Sequence, residues 1–287
     1  MPVSGASIQN IRGDTHMTNT QGKVVVITGS TKGLGFEMAR RFRKKGLHVV
    51  VNGRDEKRVA ATVKKLERIE SEAGILGVAG NISVSGDIQN LMDRAVERFG
   101  HVDIWINNAG VNQPDKALWE LSEEEIDQIL NVDLRGAILG SRVAALQMEQ
   151  QPEGGMIYNI EGHGSNDAMI MGLSMYGTSK RAVTYFTKAF AKELSERGSK
   201  VKIGRLSPGI MITDFTSHAL GGQEDIELSD KTKQVYNILG DRPGTVAGFL
   251  VSRILTTTKN DAHIQWLTKR KAAWRFMTAG SRQGKFY

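Results

Sequence analysis

The 287-residue chain is long enough for one large domain with a substantial core, and neither an internal repeat nor a linker tract divides it. It has no cysteine, which removes disulfides, thiol nucleophiles and thiolate metal sites, and its six histidines lack the H-x-x-x-H and H-E-x-x-H spacings of a metal site. The net charge of +7 is spread mostly along helices, as in Arg40-Arg-Phe-Arg-Lys-Lys45, and predicts solvated faces rather than a nucleic-acid surface.

Residues 1–21, rich in Ser, Thr, Asn, Gln and Gly, read as a disordered leader without the apolar core of a secretory signal. From 22 to 262 strands and helices alternate. The β-branched run Val24 to Ile27 predicts a buried strand over 24–28. It passes through Gly29-Ser30-Thr31-Lys32-Gly33-Leu34-Gly35 into a helix over 33–45. Glycines spaced in this way let the backbone turn tightly and approach a pyrophosphate lying against the helix N-terminus. A strand over 48–52 leads to Arg54 and to Asp55, the expected N-cap of a helix over 55–73. Further pairs follow: strand 75–80 with helix 86–99, and strand 103–107, ending in Asn107-Asn108-Ala109-Gly110, with a long helix over 122–150.

Strand 156–160 precedes a helix over 174–197 that carries Tyr176 and Lys180. Their spacing puts phenol and ammonium on one helical face. A nearby cation favours the phenolate, so the Tyr176 pKa is expected to fall toward the working pH of a proton shuttle. Strand 201–206 runs into Pro208-Gly209, then an irregular stretch over 209–243 holding Thr213, a helix near 243–257 and a short strand near 262–267. This alternation predicts the α/β class: a single doubly wound, Rossmann-type parallel sheet with helices on both faces and ligands beyond the strand carboxyl ends. Residues 263–287 form a basic extension without acidic residues. There Lys269, Arg270, Lys271, Arg275, Arg282 and Lys285 alternate with Trp266, Trp274, Phe276, Phe286 and Tyr287. It suits either a peripheral contact with a membrane surface or a terminal helix packed on the body or a second subunit.

The glycine turn, Asn-Asn-Ala-Gly, Tyr176-x-x-x-Lys180 and Pro208-Gly209, in that order, resemble the short-chain dehydrogenase/reductase family over roughly residues 22 to 260. The resemblance implies a nicotinamide dinucleotide held by Gly29 to Gly35, by Asn107 to Gly110, and by Tyr176, Lys180, Pro208, Gly209 and Thr213. Asn81-Ile82 stands where the family has the Asp-Val that contacts adenine. In place of the acidic residue that selects NAD, the second strand ends in Arg54. With Lys32 it offers two cations to a 2′-phosphate, so NADPH/NADP+ is the expected cofactor.

Two positions depart from the family. Gly162 occupies the place of the usual catalytic serine, and the nearest hydroxyl is Ser165; with His163 as the other candidate, Ser165 is expected to polarise the carbonyl oxygen. Val132-Asp133-Leu134 puts a carboxylate where the family has an asparagine that holds a relay water. Within the family, Asn159-Ile-Glu-Gly-His-Gly-Ser165, Asn237 to Gly248 and Ile264 to Ala272 resemble the chlorophyll b reductase branch, which reduces the 7-formyl group of a chlorin to hydroxymethyl with NADPH. The expected protein is an NADPH-dependent carbonyl reductase with Tyr176, Lys180, Ser165 and Asp133 as its catalytic group and no metal. A chlorin is one substrate and an unrelated small carbonyl compound the other. The rival is a non-catalytic NADP(H)-binding sensor or scaffold. A cytoplasmic homodimer or homotetramer is expected, without transmembrane segment or nucleic-acid partner.

Overall fold

In the computed structural model, residues 20–114, 116–169, 171–211 and 230–282 are described. Seven parallel strands form one sheet in the order β3-β2-β1-β4-β5-β6-β7. They are β1 (Val24–Ile27), β2 (His48–Gly53), β3 (Ile75–Ala79), β4 (Ile104–Asn107), β5 (Gly155–Ile160), β6 (Val201–Ser207) and β7 (Ala262–Gln265). The strand order reverses between β1 and β4, which opens a crevice at their carboxyl ends.

The strands are apolar on both faces because helices cover both. Against one face pack α1 (Gly33–Lys44), α2 (Glu56–Glu67) and α8 (Pro243–Thr256), through Met38, Phe42, Leu66 and Leu250. Against the other pack α3 (Ser85–Phe99), α5 (Gly136–Glu149) and α6 (Ser174–Glu196), through Leu91, Met148 and Leu194. A short α4 (Glu123–Ile129) precedes α5, α7 (Asp230–Leu239) precedes α8, and α9 (Lys269–Met277) follows β7. No helix among the described residues is long and apolar enough to cross a membrane.

Three expectations need correction. The helix expected over 55–73 stops at Glu67. Arg43, from the basic run read as solvated, is buried and donates instead to the carbonyls of Leu66, Ser71 and Ala73. This long-range cap takes carbonyls that further helical turns would have used. The helix expected over 122–150 contains a π-helical turn at Leu130–Arg135 between α4 and α5. Third, the division at 262/263 falls inside β7, whose His263–Gln265 pair with β6. The extension proper therefore begins at Trp266.

That extension divides into a packed and an exposed part. Trp266 stacks at a tilt on Phe249 and donates from Nε1 to Asp241 at 2.7 Å. Arg275 is buried in an ion pair with the same carboxylate at 2.6 Å. Trp274, Phe276 and Met277 are exposed. The leader up to residue 19, and Phe286, Tyr287 and Lys285, lie outside the described residues.

Candidate active site

The glycine turn crosses the β1–β4 crevice. Gly29 (φ +60°) and Gly33 (φ +58°) sit in the left-handed region that disfavours side chains, and nothing lies within 4 Å of a Cβ built on Gly33. A Cβ on Gly29 would stand 2.7 Å from the Ala109 Cα, and one on Gly35 2.7 Å from the Gly29 carbonyl, so the turn closes only with glycine. Asn108 braces it by donating from Nδ2 to the carbonyls of Thr28 and Gly29 at 2.9 and 3.0 Å. Ser30 ties it to β2 through a hydrogen bond with the Asn52 amide at 3.0 Å. The α1 N-terminus has no side-chain cap at Lys32 and no acidic residue in its first turn, Gly33 to Gly35. Uncapped amides facing an open turn fit the diphosphate of a dinucleotide.

Arg54 follows β2 and is exposed, as is Lys32. Gly53 lies against Thr31, whose Cγ2 is 2.6 Å from the position a Cβ would take. The strand end bearing Arg54 and the turn bearing Lys32 are therefore neighbours. Asn81 keeps less of itself for a ligand than expected: its Oδ1 accepts from the Ser83 amide and hydroxyl at 3.1 and 2.8 Å. Ile82 is buried. Asn107 does not face the crevice. It is buried below α5, taking the Trp105 indole N–H at 2.7 Å and donating to Asn159 at 2.8 Å. Gly209 (φ +74°) follows Pro208 beyond β6, and Thr213 lies outside the described residues.

The catalytic candidates converge more tightly. Tyr176 and Lys180 are buried on the first turns of α6, with the ammonium 5.5 Å from the phenol ring centroid. Lys180 Nζ is 3.0 Å from Asp133 Oδ2, and Asp133 Oδ1 accepts from the Val111 amide at 2.7 Å. The π turn is what presents Asp133 to α6; such one-residue bulges often mark functional positions in helices. A Cβ on Gly110 would sit 3.3 Å from Asp133 Oδ1 and 3.5 Å from Lys180 Nζ, so glycine keeps the chain close to the pair.

Electrostatics here differ from the expected lowering at Tyr176. Burial is the main effect and pushes the phenol up to about 12; Lys180 opposes this and Asp133 reinforces it. Burial also works against the charge on Lys180, but Asp133 and Tyr176 outweigh it and hold the ammonium above its ordinary value. Asp133 is raised by burial despite Lys180 and the Val111 amide. Lys180 and Asp133 thus form one buried ion pair, with the ammonium beside the Tyr176 ring.

Gly162 does lie at the phenol, since a Cβ built there would overlap the Tyr176 hydroxyl. Ser165, though buried, is not arranged as expected. Its hydroxyl donates to the Lys180 carbonyl at 3.3 Å and accepts from the Gly162 amide at 3.2 Å, so it closes the turn onto α6. The buried Nε2 of His163 has no hydrogen-bond partner among the described residues, and burial lowers the imidazole pKa, keeping it neutral.

Sequence reasoning missed two buried polar residues. Glu161 accepts from Thr184 and pairs with His263 and Arg205 at 3.0, 2.8 and 3.4 Å. Gln113 joins the loop after β4 to α6. Both rest on partners far away in the chain, and no local motif marks either.

Known proteins match the same stretch. A short chain dehydrogenase family model fits residues 23–223. A chloroplastic, probable chlorophyll(ide) b reductase of Arabidopsis thaliana is 34% identical over 278 residues, covering 92% of this chain and 54% of the relative. The chain thus spans about half the length of that protein. A chloroplastic chlorophyll(ide) b reductase of Oryza sativa subsp. japonica is 33% identical over 271 residues, 91% of this chain and 77% of its own. A solved 3-ketoacyl-(acyl-carrier-protein) reductase from Brucella melitensis, complexed with NADH, superposes with a TM-score of 0.74 at 26% identity, over 88% of this chain and 99% of its own.

Proposed function

Because the chain belongs to the short chain dehydrogenase family, and so is an oxidoreductase that uses a nicotinamide dinucleotide, we propose that it is an NADPH-dependent carbonyl reductase acting on an aldehyde carried by a large ring, such as the 7-formyl group of a chlorin. The observation that carries the reading is the buried array of Tyr176, Lys180 and Asp133 at the mouth of the β1–β4 crevice. The substrate class is supported by the names of the plant relatives and by the Asn159 to Ser165 turn.

The glycine turn from Gly29 to Gly35, with Asn108 to Gly110, Asn81-Ile82, Pro208-Gly209 and Lys180, would hold the dinucleotide, and Arg54 with Lys32 its 2′-phosphate. When bound, the nicotinamide supplies a hydride to the carbonyl carbon. Tyr176 delivers the proton to the oxygen: with its pKa pushed up to about 12 the phenol carries its proton throughout the neutral range, and releasing it depends on charge that stabilises the phenolate. Lys180 stabilises the phenolate left behind, and Asp133 keeps that ammonium charged and in place. Ser165 supports the turn, and His163, whose Nε2 has no hydrogen-bond partner among the described residues, is our assignment for the donor to the carbonyl oxygen.

Exposed Leu146 on α5 and Tyr185 on α6 support self-association, and Trp274, Phe276 and Met277 beside Lys269 and Arg270 support a peripheral membrane contact. The lack of cysteine fits a reducing compartment such as the cytoplasm.

The test is NADPH consumption with formyl-chlorins against a panel of simple aldehydes and ketones. Turnover favouring formyl-chlorins supports the reading, turnover of small carbonyls alone moves the substrate class, and no consumption with any of them overturns it.

A further inference from the structure

Gln113 lies in the loop between β4 and α4, and although polar it is fully buried. Its Oε1 accepts from the backbone amides of Met175 and Tyr176 at 2.8 and 3.2 Å. Those amides belong to the first turn of α6, where helices leave N–H groups without partners. A helix normally satisfies them with an oxygen-bearing N-cap. Here the N-cap residue is Leu173, which has no such oxygen, and no side chain caps the helix locally. The acceptor comes from another loop. Gln113 is itself oriented: Nε2 donates to the Lys116 carbonyl at 3.4 Å, and its backbone amide donates to Asn112 Oδ1 at 3.0 Å.

Two residues earlier the same loop is fastened to the other end of the catalytic pair, because the Val111 amide donates to Asp133 and Asp133 pairs with Lys180. The loop therefore grips Lys180 through Asp133 and Tyr176 through Gln113. The phenol's position depends on where the first turn of α6 starts, and no side chain at the N-cap residue of α6 fixes that start.

We propose that Gln113 is the positioning residue for Tyr176, a cap supplied from the β4–α4 loop that sets the first turn of the catalytic helix and hence the phenol. This rests on Tyr176 being the proton donor.

The experiment compares the full-length protein with Gln113→Met, which keeps length and bulk but loses the acceptor, and Gln113→Glu, which keeps an acceptor for both amides at a helix end that favours negative charge. For Gln113→Met, kcat is expected to fall on the order of tenfold from misplacement of the phenol, with KM and the Kd for NADPH little changed. Hydrogen exchange at Met175 and Tyr176 should quicken as the cap is lost. Gln113→Glu should recover most of both. Gln113→Ala replaces the Met variant if that one does not fold. Unchanged kcat in the acceptor-free variant overturns the proposal, as does faster exchange without loss of kcat, which would mean a cap for stability alone. A Tyr176→Phe protein that still turns over marks a failure of the proton-donor reading instead.

Discussion

Lys180 and Asp133 face each other at 3.0 Å with both side chains closed to solvent. At such burial an ion pair is held less by its own net stability than by the penalty of breaking it. The charge that would otherwise act on Tyr176 alone is divided, and this sets the pH behaviour of the site.

Replacing Asp133 by Asn removes a negative charge that raises the Tyr176 pKa, so that pKa should fall. In the alcohol-oxidising direction the phenolate is the base, and the rising limb of kcat/KM should move to lower pH. Carbonyl reduction should fall as well, because the ammonium that stabilises the phenolate loses the carboxylate that holds it charged and in place. The same change strands a buried ammonium and should destabilise the fold by about 3 kcal/mol in urea unfolding. An oxidation profile that stays in place would show that Asp133 does not govern the phenol.

Tyr176→Phe should retain NADPH binding while turnover falls at least about a hundredfold, the usual range for a lost general acid. Lys180→Ala should weaken both. A stability effect accompanies the first change. Burial raises the Tyr176 pKa from its ordinary value of 10.0 to about 12, so the folded state holds its proton longer than the unfolded chain. That stabilisation is complete below pH ~10 and is lost as pH rises through ~12. The Phe variant should lack this part of the alkaline slope in unfolding measured between those values.

Arg54→Asp should remove the preference for NADPH over NADH, roughly 2 kcal/mol or more, or about thirtyfold in Kd. Titration of both dinucleotides against both proteins measures it. Equal affinities in the unsubstituted protein would refute the assignment of Arg54 to the 2′-phosphate.

Ser165→Ala should cost about 1 kcal/mol of stability, as a hydroxyl bonded to backbone groups is worth, and reduce turnover less than about tenfold. His163→Ala should reduce it on the order of a hundredfold, as removal of an oxyanion donor does. Steady-state kinetics on the two variants decides; the opposite order would return the polarising role to Ser165.

Much of the fold was legible because buried parallel strands are written as short apolar runs, such as Val24 to Ile27, with a helical period between them. The glycine turn was legible because its backbone geometry demands glycine. Asp133 was recognised by position, but its π turn was not, since Leu130 to Arg135 contains neither glycine nor proline and the bulge depends on packing against α6. The early end of α2 was hidden for a similar reason, its cap being supplied by Arg43 on another helix. The sign of the Tyr176 shift was missed because spacing shows Lys180 beside the phenol but not the burial of both. Ser165 was chosen by proximity in sequence, whereas the turn directs its hydroxyl at the Lys180 carbonyl.

Gly162 and Tyr176 constrain what can stand at each other's position. A Cβ at 162 would occupy the place of the phenol oxygen, so any side chain there must displace the proton donor. A serine placed at 162 alone would therefore have to share its space with the phenol oxygen. Room for both groups requires the turn from Gly162 to Ser165, or the phenol itself, to shift.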